Sequence, residues 1–143
     1  MTSTESIDFN EFNRNLIEEF RANDGVVTGP FADSPLVLVT HTGAKSGIER
    51  TTPLVHTRDG DDIVIIASKA GSPAHPHWYL NLLANPEVTV ELPGETYRAC
   101  ATALTEGPER ERRYHAQSEL MPNFAQYQEK TDRLIPVVVL QKI

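Results

Sequence analysis

The chain has 143 residues, enough for one domain with a substantial core. Its 20 acidic residues against 13 Lys and Arg give a formal net charge of −7, which excludes the basic field of a general nucleic-acid binder. The single cysteine, Cys100, excludes an intramolecular disulfide and a multi-Cys zinc site, and no apolar run approaches the length of a membrane span.

No basic segment leads into an apolar stretch at the start, so no signal peptide is read and a cytoplasmic location is expected. Residues 2–7 read as frayed. Asp8 is placed to cap a helix, with Glu11 in the capping-box position. Phe9, Phe12, Leu16, Ile17 and Phe20 then recur at helical spacing until Asn23-Asp24-Gly25 stops the pattern. The polar face mixes Glu11, Glu18 and Glu19 with Arg14 and Arg21, so packing on a sheet is favoured over a membrane-surface role. A loop over 26–34 contains Gly29-Pro30. Strands are expected over 36–42, 50–58 and 62–68, the last two joined by the hairpin signal Arg58-Asp-Gly-Asp-Asp62. Residues 75–84 read as a short helix ended by Asn85-Pro86. Residues 88–92 and 96–104 alternate as strands around Pro93-Gly94, with Cys100 expected buried and inert on the second. Residues 106–120 and 124–130 read as helices. A final buried strand covers 135–140, and Pro136 marks it as an edge strand or sits at its start.

Six strands without long crossover helices predict an antiparallel, mainly β (α+β) architecture: a closed or split β-barrel with an N-terminal helix and short peripheral helices. The division expected is 1–25 as N-terminal segment and helix and 26–143 as barrel, in a single domain.

The chemistry-bearing residues cluster in the middle third. Gly43-Ala-Lys-Ser-Gly47 lacks the spacing of a P-loop and leads into a strand, not a helix. It reads as a strand-joining loop whose amides, Ser46 and Lys45 suit phosphate or carboxylate, or as a plain polar hairpin. Arg50 has the fork for bidentate grip on such an anion, or forms a surface ion pair with Glu49. Ala67-Ser68-Lys69-Ala70-Gly71 ends an apolar strand with small residues that admit a flat ring, and equally suits a simple turn. His75-Pro-His77 is too thin a set for a metal site, and none is expected. Trp78, Tyr79 and Leu82 have core spacing. Phe124 and Tyr127 line a pocket or pack in the core.

Taken together, the order of these segments resembles the deazaflavin-dependent nitroreductase family of actinobacteria. The resemblance rests on Thr42-Gly-Ala-Lys-Ser-Gly-Ile-Glu-Arg-Thr-Thr-Pro-Leu54, Ala67-Ser-Lys-Ala-Gly71 and His75-Pro-His-Trp-Tyr-Leu-Asn-Leu82. Ala84-Asn-Pro86 and Tyr127-Gln-Glu-Lys-Thr-Asp-Arg-Leu-Ile-Pro136 extend it. It implies a split barrel like that of the FMN-binding oxidases and a coenzyme F420 cofactor, used in its reduced form F420H2. That cofactor is a flat ring on a polyanionic string. The resemblance places Ala44, Lys45, Ser46, Arg50 and Thr51 at its phosphate and tail. It places Ile66, Ala67, Ser68 and Lys69, with His77, Trp78, Tyr79, Leu80 and Asn81, along the rest. It implies hydride transfer to small conjugated electrophiles: enones and unsaturated lactones such as coumarin derivatives, quinones, and nitroaromatics. Ser68 would serve as a donor and Tyr127 as a proton source, with Phe124 and Tyr127 lining the substrate pocket. Met121 and Phe124 stand where nitroimidazole-activating members carry tyrosines, which implies a more apolar pocket. The alternatives are a non-catalytic F420-sequestering protein and an FMN- or haem-binding split barrel. Related split barrels often form homodimers.

Overall fold

The structure, a computed structural model, describes residues 9–143. Helix α1 (Phe9–Ala22) leads through a loop and a short 3-10 turn (Gly29–Phe31) into strand β1 (Leu36–Thr42). Asp8 and the side chain of Phe9 lie outside what is described. β2 (Glu49–Val55) returns along β1, with His41 directly opposite Arg50. β3 (Thr57–Asp59) and β4 (Asp62–Ile66) form a tight hairpin in which Gly60 takes φ +63°. Helix α2 (His77–Ala84) precedes β5 (Glu87–Leu92) and β6 (Glu95–Leu104), which turn at Pro93 and Gly94. Helices α3 (Pro108–Leu120) and α4 (Asn123–Glu129) precede β7 (Val137–Lys142).

Seven strands form one antiparallel sheet in the order β2-β1-β5-β6-β7-β4-β3. The expected strand over 50–58 is two strands, so the count is seven and not six. The chain breaks at His56, which is buried and whose N–H donates to the Pro35 carbonyl at 2.9 Å in continuation of the β1–β2 register; Pro35 has no N–H to return, and the ladder stops there. β2 and β3 therefore lie at opposite edges of the sheet although one residue separates them. Only a curled sheet brings its two edges that close, which makes this a split barrel. β7 is not an edge strand: it lies between β6 and β4, and Pro136 sits just before it, accepting a hydrogen bond from the Ala67 N–H. Cys100 is on β6 as expected, but half-buried.

Period-two alternation divides the apolar residues between the faces. Val37, Val39, Ile63, Ile65, Val88, Val90, Val138 and Leu140 share one core with Trp78, Tyr79 and Leu82 of α2. Those sheet side chains come from four strands, β1, β4, β5 and β7, so this core fills the concave side and α2 closes it. On the other faces, Val64, Ile66 and Val137 pack under Tyr114 of α3 and Phe124 of α4. Leu36 and Leu38 pack under Leu16 and Phe20 of α1. The helical reading of α1 and its packing on the sheet thus hold. Among the described residues no helix is long and apolar enough to cross a membrane.

Candidate functional site

The β1–β2 loop and α2 enclose a cavity of about 720 Å³, lined by Ala44, Lys45, Ser46, Arg50, His77, Trp78, Leu80 and Asn81 among others. Eight residues named from the sequence thus meet in one place. Their convergence follows from local geometry. The β1–β2 register sets Arg50 beside the loop, and the helical spacing of His77, Leu80 and Asn81 puts them on one face. Tyr79 and Leu82 meanwhile face the core, and Trp78 lies between core and cavity.

Lys45 and Arg50 have no ion-pair partner among the described residues, and Arg50 makes no pair with Glu49. In a chain of net charge −7, two unneutralised cations in one concavity favour an anionic ligand. The loop's amides are largely spent within the protein. Gly43 N–H donates to Ile48 O, Gly47 N–H to Gly43 O, and Ile48 N–H to Ser46 Oγ. Ala44 N–H donates to Asn81 Oδ1 at 3.0 Å. Anion binding therefore falls to the side chains more than to a nest of amides.

Three lining residues were not singled out from the sequence: Asn13 of α1, His41 and Thr52. His41 is buried and bridges Asn81 Nδ2 at 3.0 Å and Thr52 Oγ1 at 2.8 Å. Burial, with help from Arg50, lowers its pKa below the usual value and keeps it neutral. Thr51 points the other way, sharing a hydrogen bond with Thr40 at 2.7 Å.

Six further named residues, Ile66, Ala67, Ser68, Lys69, Phe124 and Tyr127, belong to a second region, on α4 and the turn packed against it. Ile66, Ala67 and Ser68 are buried at the end of β4, and Lys69 takes φ +46°, unusual for a side chain that is not glycine. Arg133 grips this turn. Its guanidinium donates to Ala67 O at 3.2 Å, Ser68 O at 2.8 Å and Ser72 O at 2.9 Å, and meets His75 Nδ1 at 3.1 Å. Gly71, at φ +83°, lies where a Cβ would come within 2.8 Å of the Tyr127 carbonyl oxygen. The Ser68 hydroxyl has no partner among the described residues. Tyr127 packs edge-on against Phe124, ring centroids 5.2 Å apart, and its hydroxyl accepts from Asn123 Nδ2 at 2.7 Å. Phe124 itself is buried beneath α4. His75 and Tyr79, with rings 4.8 Å apart, join Arg133 to the helix that borders the first cavity.

A family model described as F420H(2)-dependent quinone reductase matches residues 12–142. The chain is 37% identical over 126 residues to the F420H(2)-dependent quinone reductase Rv1261c of Mycobacterium tuberculosis, covering 86% of this chain and 85% of the relative. It resembles the solved structure of an F420-H2-dependent reductase (FDR-A) with TM-score 0.69 and 44% identity, over 75% of this chain and 94% of that one. A second solved relative, a domain-swapped dimer, gives TM-score 0.72 and 41% identity over 94% and 98% of the two chains. An FAD-binding protein from Mesorhizobium loti, 10% identical with TM-score 0.55, shares the fold alone.

Proposed function

The chain belongs to the F420H2-dependent quinone reductase family, and from that premise we propose that it reduces small conjugated electrophiles: quinones, α,β-unsaturated lactones and enones such as coumarin derivatives, and nitroaromatics more weakly. It is an F420H2-dependent oxidoreductase with a split-barrel fold. The observation that carries the reading is the pair of unpartnered cations, Lys45 and Arg50, in the cavity of about 720 Å³.

The residues present suit coenzyme F420. Lys45 and Arg50 would neutralise its phosphate and glutamate groups, the latter able to grip two oxygens at once. Ser46 adds a hydroxyl. Asn81 anchors the Ala44 amide and so fixes the loop that carries Lys45. When bound, the reduced deazaflavin supplies hydride from a ring carbon, and the protein's part is to orient it and exclude water. We place the electrophile near the second region. The unpartnered Ser68 hydroxyl would donate to the substrate oxygen where charge develops. Tyr127 accepts from Asn123, so its own proton is unspent and available to the product. Phe124, packed beneath Tyr127, gives that side an apolar backing. Ile66, Ala67, Lys69, Tyr79 and Thr51 complete the cofactor-facing set in this reading. The dimeric relative supports a homodimer, which light scattering on the purified protein would test.

The deciding experiment titrates the protein with oxidised and reduced coenzyme F420, with flavin mononucleotide as control. Stopped-flow oxidation of the bound reduced form by a quinone and a coumarin lactone follows. F420-selective binding and rapid oxidation are expected. Binding with no oxidation by either electrophile would leave a carrier, and preference for flavin mononucleotide would overturn the cofactor.

A further inference from the structure

The cavity contains one hydrogen bond whose direction is fixed by chemistry: the Ala44 backbone N–H can only donate, so the Asn81 atom it meets at 3.0 Å is the carbonyl Oδ1. The other end of that amide, Nδ2, is then the donor that faces His41 Nδ1 at 3.0 Å. Nδ1 must accept. A neutral imidazole carries one proton, and here it is on Nε2, which donates to Thr52 Oγ1 at 2.8 Å. Thr52 Oγ1 has no other hydrogen-bond partner among the described residues and lines the cavity. An oxygen already accepting from His41 keeps its own hydrogen for something else.

We propose that His41 is a positioning residue that, as the Nε2–H tautomer, turns the Thr52 hydroxyl proton into the cavity as a donor to an acceptor oxygen of the anionic ligand, beside Arg50. The inference rests on the cavity being the F420 site. The relay links the loop, α2, β1 and β2 through four residues, and each step leaves the next with one available role. Were the proton on Nδ1, two N–H groups would confront each other between His41 and Asn81, or Asn81 would turn its NH2 towards the Ala44 N–H. Thr52 would then donate back to Nε2 and offer the ligand only lone pairs, which repel an anion.

Two measurements test this. Long-range proton–nitrogen spectra of uniformly 15N-labelled protein at pH 7, with the His41 signals identified by their loss in His41→Gln, should show the proton on Nε2 before any ligand is added. In Asn81→Asp, whose carboxylate only accepts, the same spectra should show a proton on Nδ1. Fluorescence titration of coenzyme F420 should then give about tenfold weaker binding for Thr52→Val, which keeps the shape and loses the hydroxyl, and restoration to within about threefold for Thr52→Ser. A purely structural Thr52 would not separate Val from Ser in this way, because Val is the closer match in volume. If wild-type protein does not bind coenzyme F420, the functional reading and this inference fall together. If it binds, but Thr52→Val binds equally well or His41 carries its proton on Nδ1, the inference alone falls.

Discussion

Burial holds His56 as the neutral imidazole: its pKa falls to about 4, through desolvation first and the nearby Arg58 second. The unfolded chain takes up a proton below about pH 6.5 while the folded one does not until about 4. Stability from this residue is therefore complete above pH 6.5 and drains away as the pH falls to about 4, by roughly 3 kcal/mol in all. Urea unfolding between pH 7 and 4 should show a steeper loss for wild type than for His56→Leu. A second prediction concerns Gly71. Alanine there would strain a left-handed backbone at φ +83° and press a methyl against the Tyr127 carbonyl, so Gly71→Ala should cost about 2 kcal/mol in thermal or urea unfolding. At this scale the sequence was informative where charge and motif spacing spoke, as with Lys45, Arg50 and Asn81. It was silent on His41 and Thr52. Both sit on strands, and β1 is buried along most of its length, so no alternation of polar and apolar residues singles His41 out.

Between elements, side chains more than ladders set the geometry. Arg133, from the segment before β7, holds three carbonyls of the turn after β4 and has no carboxylate partner among the described residues. Arg133→Lys keeps the charge but cannot reach all three carbonyls with a point ammonium. It should weaken electrophile reduction at least tenfold while leaving equilibrium binding of coenzyme F420 within about threefold, since Lys45 and Arg50 are untouched. Stopped-flow and titration data on one preparation would check the split. Element positions were mostly legible, because hairpin turns and period-two runs leave local marks: the β5–β6 turn at Pro93-Gly94 is one. The break at His56 was not legible. Residues 50–58 carry no turn signal at that point, and what ends β2 lies on its neighbour: Pro35, opposite His56, has no N–H to carry the ladder on.

Over the whole molecule, charge is distributed against its sum. A net −7 protein repels a polyanion at a distance, and under the proposed function the cavity lined by Lys45 and Arg50 is where that repulsion is locally reversed. Salt screens both effects, but the close pairs dominate binding. The dissociation constant for coenzyme F420 should thus rise severalfold between about 50 and 500 mM NaCl, and Lys45→Gln should flatten that dependence; titration at four salt concentrations would show it. The split barrel itself was legible as a class, from short strands and missing crossover helices. Its closure was not, since nothing local says that β2 and β3 part to opposite edges.

The position of β7 bears on how the chain is made. It is translated after the other six strands, yet it lies between β6 and β4 and forms the two ladders that join them. Before it emerges from the ribosome, the growing polypeptide can assemble only two fragments, β2-β1-β5-β6 and β4-β3, each with an open margin where β7 belongs. A nascent chain halted upstream is thus not a smaller version of the protein but a pair of sticky sheets, the kind of species that chaperones shield.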